Sequence, residues 1–404
     1  MPDRLVIVGA GQAAYSTIAT LRKTASDVSI TLIGDESHAP YQRPPLSKKF
    51  LAGAMASEQL SLRPITYYSQ QRVETRFGSR AVLIDRKRRS VTLANGEIIG
   101  YDKLVLALGA GPRRIELQGV DLPGVHYLRS QADVSAIRQQ CVAGRRAVII
   151  GGGYIGLEVA ATVRQLGLEV TVLESADRVM QRVVSDPVSR SYEAEHARHG
   201  VRIVLNATVQ AILGDTSVTG VRCGGEQDYP ADFVVVGIGC APSVLLAADA
   251  GLECDNGIRT DAQGRTSDPD IFAAGDCANS PRSRYGRSVR LESVDNAIEQ
   301  ANVVCAALLG HAEPKEHLPW FWSDQYERKL VIVGLPHDHD ALVTRGRPEE
   351  GSFSVCYMRG RQLVAIETVN SPRDQMAARQ LIAARTQLDP AKVADGTVPL
   401  KECA

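Results

Sequence analysis

The sequence predicts an α/β protein with two separate parallel βαβ units and a C-terminal α+β domain. Two stretches, which begin near residues 4 and 146, each combine an apolar strand, a glycine-rich turn, an amphipathic helix and a second strand. This order is typical of a βαβ unit in a parallel sheet. Beyond residue 320 the pattern changes to short stretches of alternating apolar and polar residues, which indicates an antiparallel sheet.

The composition is that of an ordinary globular protein without a charge bias. The 404 residues include 46 Lys and Arg and 46 Asp and Glu, and apolar residues make up 44%. Balanced charge argues against a nucleic acid or a membrane as the partner of the chain. A strand pattern begins at Leu5, so no signal peptide is predicted. The eight cysteines are scattered without a CxxC pair, which argues against a metal site or a redox disulfide and fits a cytoplasmic location.

The first glycine-rich turn has the spacing of a dinucleotide-binding fingerprint. It reads Gly9-x-Gly11-x-x-Ala14 and lies between a strand and a helix. Glycine allows the tight turn and the close approach of a phosphate, and the N–H groups of the helix N-terminus stabilise its charge. In this motif an acidic residue at the end of the second strand binds a ribose. Asp35 and Glu36 are the two candidates, and Glu36 is preferred.

The second glycine-rich turn has the same spacing and a clear acidic partner. The residues predicted to contact a dinucleotide here are Gly151, Gly153, Tyr154, Ile155 and Gly156. Glu174 lies 23 positions after the first of these glycines, at the end of the next strand. A carboxylate there accepts bonds from a ribose 2′-OH and repels a 2′-phosphate, which favours NADH over NADPH. Arg178 lies close in sequence and weakens this preference.

Two such motifs in one chain predict two different dinucleotides. FAD with NADH is the economical pair, because hydride passes between a nicotinamide and a flavin. Two further strands end in glycine turns, GIGCAP at 237–242 and AAGD at 273–276. We expect Gly239 of the first turn to line the nicotinamide and Asp276 of the second to bind the ribityl chain of the flavin.

The order of short motifs along the chain resembles that of the FAD-dependent NADH:ferredoxin reductases of bacterial oxygenase systems, such as the putidaredoxin, rubredoxin and biphenyl-dioxygenase reductases. The motifs are GAGQAA, PYQRPPLSK, ALGA, GGGYIGLE, GIGCAP, AAGD, RLESVDNA and PWFWSDQ. The resemblance implies a glutathione-reductase-like architecture of two Rossmann-like dinucleotide-binding domains and a C-terminal α+β domain. The expected bounds are 1–112 with 240–319 for the FAD domain, 113–239 for the NAD domain and 320–404 for the C-terminal domain.

The segment at residues 40–50, PYQRPPLSKKF, is stiff and cationic. In disulfide-reducing relatives the region after the second strand carries a redox-active cysteine pair, but residues 1–140 of this chain contain no cysteine. The resemblance implies that Arg43, Pro44 and Lys48 contact FAD, and the prolines fix the backbone that carries the lysine. A cation near the reactive flavin nitrogen favours the anionic reduced ring, so Lys48 is a candidate catalytic residue.

Two acidic residues complete the catalytic set that the resemblance implies. Glu158 directly follows the second fingerprint and resembles the acid that approaches the nicotinamide, and Glu292 resembles the acid placed near the flavin. We expect Lys48 to pair with one of these two carboxylates. The remaining residues that the resemblance places at FAD are Ala107, Gly109, Val294 and Trp322. For the aromatic cluster at 320–322, a flavin contact and a buried domain interface are both open.

The resemblance implies a ferredoxin-type iron–sulfur protein, with a two-iron cluster, as the electron acceptor. The scattered cysteines lack ferredoxin spacing, so the acceptor is expected to be a separate protein. Ferredoxins are typically acidic, and a basic loop at 280–290 is a candidate docking face; its cations are Arg282, Arg284, Arg287 and Arg290. Alternative functions are an NADH oxidase, peroxidase or disulfide reductase, and a redox-sensing flavoprotein. A monomer and a weak homodimer are both compatible with the family.

Overall fold

The structure is a computed structural model that describes residues 2–24, 27–312 and 314–404. The chain divides into two units. The first unit consists of Met1–Arg43, Ser57–Gly111 and Cys240–His317, and the second of Pro44–Ala56, Pro112–Gly239 and Leu318–Ala404. The division into an FAD domain, an NAD domain and a C-terminal domain that the sequence indicates stays a prediction. Within the described residues, every helix is too short or too polar to span a bilayer.

The first unit is built on a five-stranded parallel sheet. Its strands lie in the order Ile271–Ala273, Lys103–Leu106, Arg4–Val8, Ser29–Ile33 and Val73–Arg76, and all four neighbouring pairs are parallel. The three central strands are almost entirely buried and apolar, as expected where both faces of a parallel sheet are covered. The carboxyl ends of these strands meet at one edge, so the glycine-rich turns that follow them lie side by side.

Two helices pack together on this sheet. The first fingerprint helix, Gln12–Lys23, buries Ala13, Thr17 and Leu21, which share one helical face. The Val294–Leu309 helix lies against it, and the thiol of Cys305 donates to the carbonyl of Thr17. The shorter helices of the unit are Ser57–Leu60, Ile65–Gln70 and Leu245–Asp249. One small sheet consists of Ala81–Asp85, Ser90–Leu93 and Ile98–Gly100. A second small sheet consists of Ile258–Arg259, Ala278–Arg282 and Arg287–Val289. Two further short strands are Ala110–Pro112 and Cys240–Pro242.

The second unit contains another five-stranded parallel sheet. Its strands lie in the order Arg202–Val204, Glu169–Leu173, Arg146–Ile150, Phe233–Val236 and Val125–Tyr127, and every neighbouring pair is parallel. The helices of this part are Gln131–Gln140, Tyr154–Gln165 and Asp186–Arg198. A small antiparallel sheet is formed by Val209–Leu213, Gly220–Cys223 and Gln227–Pro230. The second βαβ unit thus repeats the architecture of the first.

The C-terminal sheet is antiparallel, as the alternating sequence pattern predicts. Its strands lie in the order Trp320–Gln325, Arg328–Gly334, Gln362–Val369, Ser352–Arg359 and Ala341–Arg347, and every pairing is antiparallel. Two helices follow, Pro372–Ala384 and Pro390–Ala394, and they pack on the apolar core of this sheet. The predicted fold class, two parallel sheets with a C-terminal α+β region, is confirmed.

A buried glutamate joins the Asp186–Arg198 helix to the C-terminal sheet. The side chain of Glu195 is 1% exposed and accepts from Arg198 at 2.5 Å and from Arg328 at 3.1 Å. Burial by itself raises the pKa of a carboxyl group, but the two arginines outweigh burial and lower the pKa of Glu195 below its usual value. The ionised form of Glu195 therefore stabilises the fold.

Replacing Glu195 with glutamine is expected to lower the free energy of unfolding by about 2 kcal/mol at pH 7, because the partly buried Arg328 loses a charged partner. A lowered carboxyl pKa stabilises the fold above the unfolded-state value, and this contribution disappears as the pH falls through the folded-state pKa. The difference between the two proteins should thus shrink as the pH falls below 4.5. Urea unfolding measures this difference in the free energy of unfolding. The control is Glu327→Gln, because the side chain of Glu327 is 76% exposed. An equal loss at every pH would contradict this origin.

Candidate active site

The first fingerprint has the geometry that a dinucleotide phosphate requires. Gly9 has a φ of +105°, and a Cβ at this position would lie 2.1 Å from the carbonyl oxygen of Ala107. Gly11 precedes the first fingerprint helix, and a Cβ there would meet no described atom within 4 Å. Ala14, the third position of the motif, is fully buried. The turn is therefore closed by its first glycine and open above its second, where a phosphate can reach the N–H groups of the helix.

Other predicted FAD residues of the first unit meet at the same turn. Gly275, which precedes Asp276, has a φ of +83°, and a Cβ on it would lie 3.2 Å from that of Ala13 on the first fingerprint helix. The N–H of Gly275 donates to Gln300 on the Val294–Leu309 helix, which begins at Val294. Gly109 follows Ala107 with a φ of +68°. Turns that are distant in sequence thus lie around the first fingerprint.

The acidic candidates at the end of the second strand differ in their surroundings. Glu36 accepts from the Tyr41 hydroxyl at 2.6 Å and from Arg43 at 2.7 Å, and the guanidinium lies 4.9 Å from the centre of the Tyr41 ring. Burial acts to lower the pKa of Arg43, but Tyr41 and Glu36 outweigh it and raise that pKa above the usual value. Asp35 is exposed. The structure therefore holds Glu36 in a fixed place, whereas the assignment of a ribose contact to either residue stays a prediction.

The arginine loop differs from the predicted docking face. Arg282 is 5% exposed and binds Glu299 and Asn296, each at 2.6 Å. The side chain of Arg290 is 9% exposed and binds Glu292 at 2.6 Å and the carbonyl oxygen of Asp276. The prediction that these two arginines face a partner is wrong, because Glu299 and Asn296 of the following helix bind Arg282, and Glu292 and a backbone carbonyl bind Arg290. Arg287 is exposed and Arg284 is partly exposed.

The second fingerprint repeats the geometry of the first. Gly151 also has a φ of +105°, and a Cβ on Gly156 would lie 2.1 Å from the carbonyl oxygen of Gly151. Gly153 precedes the second fingerprint helix, Tyr154–Gln165, without a side-chain cap among the described residues. Ile155 is 39% exposed at the first turn of this helix. The first-turn N–H groups are thus available to a pyrophosphate.

The predicted ribose-binding residue of the second unit is held by the glycine-rich turn. Glu174 accepts from the N–H of Gly152 at 2.6 Å and from that of Ala176 at 2.8 Å. Arg178 donates to the carbonyl oxygens of Val184 and Gln181, at 2.9 and 3.0 Å. The guanidinium that weakened the preference for NADH is therefore occupied by the backbone of its own loop.

The GIGCAP turn contains a glycine with a positive φ. Gly239 has a φ of +103°, and its carbonyl oxygen accepts from the N–H of Arg113 at 2.9 Å. A Cβ at this position would lie 3.4 Å from the guanidinium of Arg182. Glycine is therefore favoured here by its backbone conformation. The contact of Gly239 with a nicotinamide stays a prediction.

One face of the second fingerprint helix packs on the first strand of the C-terminal sheet. The ring of Tyr154 lies 4.7 Å from that of Phe321, and four residues later Glu158 accepts from Ser323 at 2.6 Å. Four residues of a helix advance by about 6 Å and two residues of a strand by about 7 Å, so the two elements stay in register. On the same helical face, Thr162 donates to the carbonyl oxygen of Ser47 at 2.8 Å.

The stiff segment holds Lys48 against this helix. Pro44–Ser47 forms a 3₁₀ turn, and the carbonyl oxygen of Pro45 accepts from the N–H of Lys48. The ammonium of Lys48 lies 2.6 Å from Oε2 of Glu158, whose side chain is 7% exposed. Of the two carboxylates that the sequence offers to Lys48, the structure pairs Glu158 with the lysine, whereas Glu292 binds Arg290. The ammonium of Lys48 is thus paired with the buried carboxylate of Glu158.

Sequence reasoning missed the polar residues that surround Glu158. Ser47 donates to Oε2 at 2.5 Å and Ser323 donates to Oε1 at 2.6 Å. Gln325 donates to the Ser323 hydroxyl at 3.2 Å, and Nε2 of His196 lies 2.8 Å from Oε1 of Gln325. Ser47 and Ser323 belong to the motifs PYQRPPLSK and PWFWSDQ, so their membership in these motifs was a usable signal. No local pattern identifies His196.

The aromatic cluster of the C-terminal sheet is partly buried. The rings of Trp320 and Trp322 stack at 5.2 Å, and Arg379 lies 4.7 Å over Trp320. Both tryptophans pack against the core of the C-terminal sheet. A packing role is thus observed for this cluster, and the flavin contact of Trp322 stays a prediction.

The two glycine-rich turns fit dinucleotide cofactors. In each unit the second glycine lies at the N-terminus of a helix that has no side-chain cap within the described residues. A Cβ on Gly11 would fill open space, and one on Gly153 would meet only the carbonyl oxygen of Gly237, at 4.0 Å. Both turns thus combine first-turn N–H donors that have no side-chain cap among the described residues, a favourable helix dipole and room for a phosphate.

Comparisons with known proteins agree with this geometry. The family model described as pyridine nucleotide-disulphide oxidoreductase matches residues 3–301, and the model described as reductase C-terminal matches residues 320–404. Rhodocoxin reductase from Rhodococcus erythropolis is 43% identical over 98% of this chain and 93% of its own. The ferredoxin–NAD(+) reductase component of the anthranilate 1,2-dioxygenase system from Burkholderia cepacia is 42% identical over 99% of this chain and 98% of its own.

A solved structure of a putidaredoxin reductase covalently linked to putidaredoxin is also similar to this chain. It superposes with a TM-score of 0.96 at 42% sequence identity and covers 99% of this chain and 98% of its own. The family that the order of motifs predicts is therefore confirmed. The chain belongs to the pyridine nucleotide-disulphide oxidoreductase family, among the ferredoxin reductases of oxygenase systems.

Proposed function

We propose that the chain takes hydride from NADH onto non-covalently bound FAD and passes electrons singly to a two-iron ferredoxin that supplies an oxygenase. Its family makes it an enzyme, the NAD(P)H-dependent ferredoxin reductase component of an oxygenase electron-transfer system. The observation that carries the finer proposal is the repeated fingerprint, one in each unit, with first glycines at the same φ of +105°. Two such turns bind two dinucleotides.

The family implies FAD and NAD(H) as the cofactors. We assign FAD to the first unit and NADH to the second. Bound FAD would supply a group that can take up an electron pair as hydride and give up single electrons. Glu174 binds the adenosine ribose of NADH, and the occupied Arg178 leaves the 2′-phosphate of NADPH without this arginine as a partner. The chain thus discriminates against NADPH at the 2′ position.

Lys48 and Glu158 are the proposed catalytic residues of the second unit. The 3₁₀ turn fixes the backbone of Lys48, and Glu158 orients its ammonium. This holds a preorganised positive charge in the site before the reaction begins. Glu292 is the proposed acid of the first unit, and Arg290 holds its carboxylate. Arg43, Pro44, Asp276, Val294 and Trp322 remain proposed FAD contacts.

The acceptor that we propose is a separate ferredoxin-type protein. A putidaredoxin reductase that is 42% identical to this chain forms a covalent complex with putidaredoxin in a solved structure. Because Arg282 and Arg290 are buried, only Arg284 and Arg287 of the basic loop remain candidates for docking. A cytoplasmic location and a monomeric or weakly dimeric state also stay predictions.

An electron-transfer assay tests the proposed function. With purified, FAD-loaded protein, NADH-dependent reduction of cytochrome c is expected to rise strongly when a two-iron ferredoxin is added, because the flavin then delivers single electrons to the cluster. NADPH in place of NADH is expected to support less activity. If NADH is consumed with oxygen, peroxide or a disulfide at a rate that ignores the ferredoxin, the oxidase or disulfide reductase alternative replaces the proposal. Slow turnover with every acceptor favours a redox sensor.

A further inference from the structure

We propose that Ser323 and Gln325 of the C-terminal sheet are positioning residues for the Lys48–Glu158 pair. Their role is to keep the Glu158 carboxylate hydrogen-bonded and fixed independently of Lys48, so that the ammonium can change its partner during the reaction. The expected effect of these residues on flavin reduction rests on the proposed function. The hydrogen-bond chain itself is observed without that function.

The chain of hydrogen bonds converges on Glu158. His196 lies 2.8 Å from Gln325, Gln325 donates to Ser323 at 3.2 Å, and Ser323 donates to Oε1 of Glu158 at 2.6 Å. Oε2 accepts separately from Ser47 at 2.5 Å and from Lys48 at 2.6 Å. Each carboxylate oxygen therefore has at least one hydroxyl donor in addition to the single ammonium of Lys48.

The carboxylate fixes the direction of every bond in this chain. An ionised carboxylate only accepts, so the single proton of the Ser323 hydroxyl points to Glu158. Ser323 must then accept from Gln325, which turns the amide N–H₂ towards the serine and the amide oxygen towards His196. The histidine in turn donates from Nε2. With the carboxylate as the fixed acceptor, the chain therefore has one proton arrangement.

The histidine at the end of the chain is consistent with this direction. Burial lowers the pKa of His196, so the ring is neutral and carries one proton at pH 7. That proton lies on Nε2. The other ring nitrogen of His196, Nδ1, has no hydrogen-bond partner within the described part of the chain. Only one tautomer therefore satisfies the bond to Gln325.

The chain matters because Glu158 is buried. If Lys48 were its only partner, movement of the ammonium to another anion would leave a buried carboxylate uncompensated, which is strongly unfavourable. The hydroxyl groups of Ser47 and Ser323 remain in place when Lys48 moves. Ser323 and Gln325 are themselves fully or almost fully buried, so each needs the polar partner that the chain supplies.

The test combines Ser323→Ala with Glu158→Gln in a double-mutant cycle. In the FAD-loaded protein, Ser323→Ala is expected to slow NADH-dependent bleaching of the flavin absorbance about tenfold, or about 1.4 kcal/mol. In the Glu158→Gln background the same change should have less than about a twofold effect, because the charge that Ser323 positions is already absent. Gln325→Met, which breaks the next bond of the chain, should behave like Ser323→Ala with a smaller loss.

Ser354→Ala is the matched control. Ser354 is also fully buried in the C-terminal sheet and donates to a carboxylate, that of Asp374, at 2.8 Å, but it does not belong to this chain. It should lower stability without changing the rate of flavin reduction. An equal loss of rate in Ser354→Ala, or additive effects of Ser323→Ala and Glu158→Gln, would overturn the proposal.

A second readout does not depend on the cofactors. Urea unfolding of Ser323→Ala, Glu158→Gln and the double variant should also be non-additive, since the two side chains share one hydrogen bond. If the unfolding cycle couples but NADH does not reduce the flavin of the wild-type protein, the proposed function fails and the structural coupling stands. If the wild-type protein reduces ferredoxin but the unfolding cycle is additive, the positioning role fails alone.

Discussion

Replacing Lys48 with methionine is expected to slow NADH-dependent reduction of the bound flavin by about 100-fold, the scale found when one preorganised electrostatic group is removed. Methionine keeps an unbranched side chain that is one atom shorter and removes the charge. The ammonium of Lys48 lies 2.6 Å from the buried carboxylate of Glu158 before the reaction, and water cannot supply an equally preorganised charge in its place. Stopped-flow absorbance of the FAD-loaded protein measures the rate directly.

The adjacent lysine supplies the control for this experiment. Lys49 is exposed, and Lys49→Met removes the same charge from the next position of the segment. Its rate of flavin reduction should stay close to that of the wild-type protein. The fold should survive Lys48→Met, because Ser47 and Ser323 still donate to the buried Glu158 carboxylate. Unchanged reduction kinetics in a folded Lys48→Met protein would remove Lys48 from the catalytic set.

Adding a methyl group to Gly9 or Gly11 is expected to have two different, large effects. Gly9→Ala should prevent correct folding of the first unit, because the new Cβ would lie 2.1 Å from a backbone oxygen and the φ of +105° is strained for alanine. Gly11→Ala should keep the fold, since a Cβ there meets no described atom within 4 Å. It should nevertheless lose FAD, because the methyl group occupies the space of the phosphate.

Thermal unfolding of the apoprotein and the flavin absorbance that remains after gel filtration separate these outcomes. Gly153→Ala is the matched variant of the second fingerprint, where the nearest atom to a Cβ is 4.0 Å away. It should retain FAD and lose affinity for NADH in an equilibrium titration. A folded Gly11→Ala protein with a full content of FAD would show that the first turn is not the flavin site. Loss of FAD in Gly153→Ala would reverse the assignment of the two cofactors.

Local sequence patterns were sufficient for the two βαβ units. A glycine-rich turn can be predicted locally because its backbone requires glycine: Gly9 and Gly151 share a φ that other residues rarely adopt. The strand and the helix on either side of the turn have their own periodicity of apolar residues. The position of Glu174 at the end of the adjacent parallel strand, in contact with the turn, also agrees with the sequence pattern, whereas its contact with a ribose stays a prediction.

The arginine loop shows where local patterns fail. Four arginines in eleven residues are typical of a solvated basic face, yet Arg282 is buried against Glu299 and Asn296. These partners come from the following helix, and the sequence does not show that this helix turns back over the loop. The run of arginines therefore predicted an exposed basic surface, but Arg282 and Arg290 are buried and do not belong to it.

By itself, the sequence determined the fold class, the two fingerprints and the family, because each depends on residues close together in the chain. Only the tertiary structure decided which carboxylate pairs with Lys48 and which residues support that pair. Ser323 is separated from Glu158 by 165 positions, and Ser47 by 111. Such contacts depend on how helices and strands pack, and their polar members are common residues with no periodicity of their own. Burial then makes each of these hydrogen bonds necessary, since an unpaired polar group inside the protein is unfavourable.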